Sequence, residues 1–344
     1  MEASAIAVIV VVLAVGIFDF TNGFHDAADM IATAIASRAM KPAIAIGIVT
    51  TFTFIAPLTV GLAVADTIGT FVDLAPATTL AGESVVMAAL LAAVTYNLGT
   101  WLLGFPSSSS NSLAGGLVGA GLYAVGNEHI HWGVGALAGG ELLGVTKVFA
   151  GLLLSPLLGF VIGYLMMKFF LVVFRRFTVR VESLLAASQY LSMAWLGFSH
   201  GANDAQKGMA IIGMILLSSN VTQVFEIPLW AVIWCASAIT LGTVFGGWRI
   251  VRTLGFGLFK VRILHSVANQ LSSALVNSLA TVIGAPTSTT QVVTASLLGN
   301  GAARKPGHVR WKVAARIVSG WWVNLPVSMA LGWSYCFVYL NLRA

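Results

Sequence analysis

The sequence predicts an all-α integral membrane protein built from two inverted-topology repeats, with about ten to twelve transmembrane segments. Three observations favour this class. The 344-residue chain is 58% hydrophobic and only 9% charged, apolar runs recur from end to end, and two motifs return in the same order in the second half. A soluble domain of this length would need a far more charged surface.

Apolar runs fill most of the chain, and many are as long as the roughly 20 residues that a hydrocarbon core requires. The clearest runs are 43–65, 84–104, 148–172, 229–247 and 313–340. No stretch is left over for a soluble domain. The first run has no basic flank and no convincing cleavage site before the polar segment 19–29, so we expect the first helix to be retained.

The charged and cysteine residues exclude two other classes. The 18 Lys and Arg residues give a formal charge of +6, but they lie mostly in short clusters between apolar runs. That distribution is typical of topology signals and not of a nucleic-acid-binding face. Cys235 and Cys336 lie in apolar segments without metal-ligand spacing, so we predict small core residues and neither a disulfide framework nor a zinc site.

Two motifs repeat along the chain at nearly constant spacing. GFHDAAD at 23–29 aligns with GANDAQK at 201–207, which is 178 residues later. Residues 97–111 align with 277–291 at an offset of 180. Two matches in the same order indicate an internal repeat. The predicted divisions are a first repeat at 1–172, a short basic linker at 173–183 and a second repeat at 184–344.

Loop charges indicate how the repeats are oriented, because Lys and Arg prefer the cytoplasmic side. Three pairs of equivalent loops differ in charge, one member being basic and the other acidic or nearly uncharged. These pairs are 38–42 with 218–228, 249–262 with 66–83, and 304–312 with 128–131. Such swaps favour inversion with an odd number of crossings, about five in each repeat. The linker would then be cytoplasmic and both termini would lie outside.

Two aspartates, Asp26 and Asp204, occupy equivalent positions in apolar stretches, where an ionisable group is costly and usually functional. Around them an amide and an imidazole exchange places between the repeats. We also expect the helix to break at Gly23 and at Gly201, which would free backbone carbonyls. The residues predicted to bind a coupling ion, a proton or sodium, are Asp26, Asp204, Asn22 and Asn203, with His25 and His200 in support. The histidines could equally be hydrogen-bonded packing residues.

Two hydroxyl-rich runs each follow a proline, which favours the first turn of a helix. A helix start carries unpaired N–H groups and the positive end of a dipole, so hydroxyls there would complete a cradle for an anion such as phosphate. The alternative is that these small residues only pack against other helices. The predicted phosphate-binding residues are Ser107, Ser108, Ser109, Ser110, Thr287, Ser288, Thr289 and Thr290, with Asn97, Asn277 and Gln291 in support.

Asp29 and Lys207 occupy equivalent positions in the two repeats and carry opposite charges. We hypothesise that they pair across the pseudo-twofold axis near the substrate and support the site. The alternative is that one of them faces water.

Four segments in order resemble the signatures of the PiT family of inorganic phosphate transporters, and of its bacterial low-affinity branch in particular. They are NGFHDAAD at 22–29, WLLGFPSSSS at 101–110, FSHGANDAQKG at 198–208 and GAPTSTTQV at 284–292. The resemblance extends along nearly the whole chain. It implies phosphate symport by alternating access, driven by protons or, in other members, by sodium, and it allows transport of a neutral complex with a divalent metal.

The chain departs from the family pattern in three places. Asp29 stands where the family usually has Asn, and Asn111 stands where the bacterial branch often has His. A short basic linker replaces the long hydrophilic insert of many relatives, so we expect no regulation through such a loop. We expect a multi-pass protein of the inner (plasma) membrane that could form a homodimer, with no resident cofactor or metal and no nucleic-acid partner.

Other functions remain open at this stage. A permease for sulfate or another tetrahedral oxyanion could share the fold, because the cradles would recognise shape more than charge. An ion channel would instead use the same polar residues to line a continuous pore. We do not predict an enzyme, because no nucleophile, base or metal triad appears at a recognisable spacing.

Overall fold

The computed structural model describes residues 2–70, 72–74, 77–175 and 180–343, and these residues form α-helices and no β-strand. The helices of the first half are α1 (Glu2–Ala36), α2 (Pro42–Ile55), α3 (Ala63–Gly69), α4 (Thr79–Leu103), α5 (Ser109–Ala124), α6 (Val134–Leu137) and α7 (Gly144–Val173). Those of the second half are α8 (Arg180–Ser218), α9 (Leu229–Phe245), α10 (Trp248–Gly257), α11 (Ile263–Val282), α12 (Thr289–Arg304) and α13 (Trp311–Arg343). The predicted all-α class is confirmed.

The two halves repeat one local pattern around their hydroxyl-rich runs. Helices α4 and α11 are each followed by a glycine, Gly104 and Gly284, with φ angles of 72° and 68° that favour glycine. Helices α5 and α12 then begin at Ser109 and Thr289. The helix starts predicted after the two prolines are therefore confirmed.

Helices from the two halves pack on each other reciprocally. Helix α1 packs on α9 while α8 packs on α2, and α5 packs on α13 while α12 packs on α7. Each half is thus completed by helices from the other, and the starts of α5 and α12 are enclosed between them. The inversion of the repeats and their exact boundaries stay predictions.

Basic loops of the two halves meet at one place, and two acidic loops of the first half meet at another, which is what inversion would require. Arg38 of the first half lines one cavity together with Lys260, Arg262 and Arg310 of the second half. In another place the Asp73 N–H donates to the His129 carbonyl at 2.8 Å, which joins the two acidic loops of the first half.

Within the described residues, four helices are both long and apolar enough to cross a membrane: α1, α4, α7 and α13. The number rises to six if the bent pairs α2–α3 and α9–α10, with angles of 72° and 64°, each count as one span. Length and composition alone do not decide the number of crossings, so the ten to twelve spans stay a prediction. Helices α8 and α11 have 39 and 20 residues but bury many polar side chains, and α5 and α12 have only 16 residues each.

The helix breaks predicted at two glycines are wrong. Helices α1 and α8 run continuously through Gly23 and Gly201. A side chain at Gly23 would overlap the carbonyl oxygen of Ile239, and one at Gly201 would overlap that of Thr53. These glycines therefore allow close helix contact, as small residues often do in membranes.

Many polar side chains lie inside the protein, and many large apolar ones are exposed, as a lipid environment favours. On α1, four side chains that are more than half exposed are Ile6, Ile9, Leu13 and Ile17. The opposite face of the same helix carries the buried acids described below. Cys235 and Cys336 are free and buried, as predicted.

Candidate functional site

Helices α1 and α8 each bring a set of polar residues to one buried face, because the residues recur every three or four positions. The set on α1 is Asp19, Asn22, Asp26 and Asp29, each no more than 1% exposed. The set on α8 is His200, Asn203, Asp204 and Lys207, each 0% exposed. With the starts of α5 and α12, we call these residues the central site.

The structure brings the two predicted aspartates together. Asp26, His200 and Asp204 each offer a ligand atom within 4.8 Å of the other two, and His25, Asp26 and Asp29 form a second such group. The Nδ1 atom of His25 lies 3.3 Å from Asp26, and that of His200 lies 3.5 Å from Asp204. Either group could close around a small cation, because carboxylate oxygen and imidazole nitrogen are common ligands.

The hydroxyl-rich runs form two matched helix starts. Ser108 accepts a hydrogen bond from the Asn111 N–H at 3.1 Å, and Ser288 accepts one from the Gln291 N–H at 3.3 Å. Both serines are therefore N-caps of the kind that helix starts prefer. The Ser110 hydroxyl donates to the Thr287 carbonyl at 2.7 Å, so the two runs touch. All eight predicted hydroxyl residues are buried.

Side chains of the acidic helices reach the hydroxyl runs directly. Ser109 donates to the Asn22 amide oxygen at 2.6 Å, and the Asn203 amide oxygen accepts the Thr287 N–H at 3.0 Å. His200 lies 3.2 Å from the Thr289 hydroxyl. The predicted cation and phosphate residues therefore contact each other directly.

Thr290 links the two acids of the first half. Its Oγ1 atom lies 2.8 Å from an Asp26 oxygen and 2.5 Å from an Asp29 oxygen. A hydroxyl carries one proton, so it can donate to only one of these oxygens. The second short contact needs another proton, which one of the two carboxyl groups would carry.

The pairing predicted between Asp29 and Lys207 is wrong. The Lys207 ammonium instead contacts Asp204 at 2.6 Å, Ser110 at 2.5 Å and the Thr287 carbonyl at 2.9 Å. Residues 204 and 207 are neighbours on the same helix face, so the pair forms locally. Both Asp29 and Lys207 are wholly buried, which also excludes the alternative that one of them faces water.

The three supporting residues differ in their distance from the runs. Asn277 donates to Thr289 at 3.3 Å and belongs to the central site. Asn97 reaches it only through the Ser112 hydroxyl, at 3.3 Å. The Gln291 side chain instead lines an apolar cavity of about 500 Å³.

Sequence reasoning missed two buried residues. Asn324 on α13 donates to the Ser107 hydroxyl at 3.2 Å and to the Ser108 carbonyl at 2.7 Å, so it positions the first run. A lone amide in an apolar span was the available signal. Asp19 is wholly buried one turn before Asn22, where the lack of a side chain at Gly208 makes room for its carboxyl group. Its helical spacing from Asp26 could have identified it.

The space between the helix starts is small in this conformation. The cavity lined by Ser110, Lys207, Ile68 and Pro286 has a volume of about 10 Å³. That is about enough for one water molecule and too little for phosphate. An anion can enter only if the two helix starts separate or Lys207 moves.

Comparisons with known proteins agree on one family. The model of the phosphate transporter family matches residues 22–332. A probable low-affinity inorganic phosphate transporter of Rhizobium meliloti is 39% identical over all of both chains, and one of Bacillus subtilis is 36% identical over 99% of each. The low-affinity transporter PitB of Escherichia coli is 32% identical over 58% of this chain and 44% of its own.

A solved structure shares the fold. The sodium-dependent phosphate transporter superposes with a TM-score of 0.85, at 23% identity, over 98% of this chain and 100% of its own. The family consists of transporters, so the prediction that the chain is not an enzyme is confirmed. The family model and full-length relatives together show that the chain belongs to the phosphate transporter family.

Proposed function

We propose that this chain carries inorganic phosphate across a membrane by cation-coupled symport with alternating access. The observation that carries the proposal is the contact between two capped helix starts, Ser110 to Thr287, beside Asp26 and Asp204. The relatives' names, which describe phosphate transporters, support the same substrate.

Phosphate would bind between the starts of α5 and α12. Both starts present backbone N–H groups and hydroxyls, which are neutral donors suited to an oxyanion. The Lys207 ammonium already lies against Ser110 and the Thr287 carbonyl. An arriving phosphate would replace these two contacts and meet a positive charge that stays paired with Asp204.

The coupling ion would bind on the other side of the same centre, at Asp26, Asp29 and Thr290. The proton count at Thr290 favours a proton there, since two acceptor oxygens share one hydroxyl. Sodium is the alternative that the sodium-dependent structural relative suggests, and the same oxygens could bind it. Co-transport of a divalent metal with phosphate would use the nearby group of Asp26, His200 and Asp204.

We further propose the inner (plasma) membrane as the location, with both termini outside and the basic loops inside. The shared cavity of Arg38, Lys260, Arg262 and Arg310 supports this orientation, because basic loops favour the cytoplasmic side. We also propose that two copies of the chain associate as a homodimer.

The test is uptake of radioactive phosphate into proteoliposomes under an imposed proton gradient and, separately, an imposed sodium gradient. We expect saturable uptake under the proton gradient that collapses when the gradient is dissipated. Asp26→Asn should remove coupled uptake and retain folding. Unsaturable flux independent of any gradient would indicate a channel, and competition by sulfate as strong as by phosphate would indicate a general oxyanion permease.

A further inference from the structure

A second concentration of basic residues lies away from the central site. Where α10 leads into α11 and where α12 ends, a cavity of about 260 Å³ is lined by basic side chains. We call it the basic pocket, and its basic lining residues are Lys260, Arg262, His265, Arg304, Lys305 and His308. No acidic residue of the described chain lines it, and none of these six forms an ion pair with a described acid.

The pocket has a buried floor that can donate hydrogen bonds. His265 is 3% exposed, and its Nδ1 atom accepts the Arg262 N–H at 3.1 Å. The neutral ring must therefore carry its proton on Nε2, which makes that atom a donor. Helix α11 begins at Ile263, so its unpaired first N–H groups lie in the same place. Uncompensated cations, a ring donor and a helix start together suit an anion with several oxygens.

Polar residues connect this pocket with the central site. On one face of α11 they recur every three or four positions from the pocket inwards, and all are buried. We call this row the polar stripe, and its members are Ser266, Gln270, Ser273, Asn277 and Thr281. The stripe begins next to His265, and at its other end Asn277 donates to Thr289 and Thr281 accepts from Asn203 in the central site.

Other helices cover the polar stripe with matching polar groups. Ser266 lies 3.1 Å from both the Thr33 hydroxyl and the Gln189 amide oxygen. Ser192 donates to the Gln270 amide oxygen at 2.6 Å. The interface between α11, α8 and α1 is thus polar at Ser266 and Gln270, although it is closed in this conformation. Polar contacts at membrane depth are typical of a path that water or solute enters.

The equivalent helix in the first half has no such stripe. At the positions that align with Ser266, Gln270 and Ser273, at the offset of 180 residues, α4 has Val86, Leu90 and Ala93, all buried. At these three positions only the second-half helix is therefore polar. Symmetry of the fold does not explain the stripe, so it needs a reason of its own.

We propose that the basic pocket binds a phosphate group at the start of a path that follows the polar stripe to the central site. This inference rests on the proposed transport of phosphate, and it adds a second binding site and one half of the route. Free phosphate is the source that the stripe favours, because the stripe leads to the transport site. The phosphate of an anionic lipid headgroup has the same chemistry and is separated from it by experiment.

The binding test uses a single reactive cysteine at the pocket in protein held in nanodiscs. In His308→Cys, which leaves all four Lys and Arg residues of the pocket in place, we expect inorganic phosphate to slow maleimide labelling saturably. Chloride at equal ionic strength should not. Removing two cations with Arg262→Gln and Arg304→Gln should raise the phosphate concentration for half-protection roughly tenfold or more. Arg175→Cys, which is exposed and lines no part of the pocket, is the matched control.

The outcomes separate the two sources and the two proposals. Protection by phosphate in phosphatidylcholine nanodiscs supports free phosphate, whereas slow labelling only in nanodiscs containing phosphatidylglycerol supports a lipid headgroup. Equal labelling rates in all conditions would overturn the proposal that the basic pocket binds a phosphate group. Asp26→Asn should lose phosphate uptake but keep the protection of the cysteine at 308 by phosphate. A loss of transport can therefore be told apart from a loss of binding at the basic pocket.

The path is tested by comparing cysteines at two equivalent buried positions. Ser273→Cys lies in the polar stripe and Ala93→Cys lies at the matching position of α4, and both positions are 0% exposed. During phosphate turnover in proteoliposomes we expect the cysteine at 273 to be labelled several times faster than the one at 93. Equal rates at the two positions would overturn the assignment of the path.

Discussion

The buried ion pair between Lys207 and Asp204 allows a quantitative test of the central site. In Lys207→Gln the Asp204 carboxylate keeps His200 at 3.5 Å but loses the ammonium at 2.6 Å. Both side chains are 0% exposed, so an uncompensated charge would remain away from water. Breaking a buried pair in this way costs about 3–5 kcal/mol of unfolding free energy.

A double-mutant cycle isolates the interaction between the two charges. Asp204→Asn in the Lys207→Gln background removes the unpaired carboxylate, so the double variant should regain much of the lost stability. We expect a coupling energy of about 2–3 kcal/mol. Unfolding by SDS in mixed micelles, followed through the fluorescence of the ten tryptophans, would measure it. The double variant should fold and still fail to take up phosphate, because the positive charge at the helix starts is gone.

The pair between Arg343 and Glu83 provides the matched control. Its atoms lie 3.6 Å apart and the Arg343 side chain is 52% exposed, so water screens the interaction. Arg343→Gln should cost only about 0–1 kcal/mol. The reasoning is refuted if the coupling energy between Lys207 and Asp204 is no larger than the loss of unfolding free energy in Arg343→Gln.

Three further predictions test other parts of the site. Thr290→Val removes the hydroxyl shared by two carboxyl groups and should lower proton-driven uptake roughly tenfold or more. The control is Thr294→Val on the same helix, which should leave uptake unchanged because the Thr294 hydroxyl is buried without a hydrogen-bond partner. Asn324→Leu removes two hydrogen bonds to the first hydroxyl run and should raise the KM for phosphate roughly tenfold, measured by uptake at varied phosphate, while an unchanged KM would contradict its positioning role. Gly201→Ala should destabilise the fold by about 1–3 kcal/mol in SDS unfolding, because the new side chain would overlap the backbone of α2. Gly47→Ala has open space around it and should be neutral or stabilising. Equal effects of the two substitutions would contradict the packing argument.

The sequence was most informative where local chemistry decides the structure. A proline followed by hydroxyl residues favours a capped helix start whatever surrounds it, so the starts at Ser109 and Thr289 were predictable. The convergence of Asp26 and Asp204 was also predictable, because repeated motifs imply equivalent positions in the fold. Neither inference required knowledge of how distant helices pack.

The predictions that failed depended on tertiary contacts. A glycine such as Gly23 can break a helix or allow a second helix to pack closely against it. Which of the two occurs depends on the position of α9, which the sequence does not show. The sequence also did not decide which acid pairs with Lys207. Asp204 is near it along the helix and Asp29 is at the equivalent position of the other repeat, and only the packing of the helices shows that Asp204 is the partner.

The two halves of the central site have equivalent backbones and different charges, and this difference bears on coupling. At the same point of the repeat, the first half has Asp29 and the second has Lys207. Lys207 neutralises Asp204 from within the chain, whereas Asp26 and Asp29 share only the Thr290 hydroxyl. Under the proposed transport, one half therefore carries a permanent cation that stays with the protein through the cycle. The acids of the other half still need a positive charge from solution, so the coupling ion is expected on the side of α1.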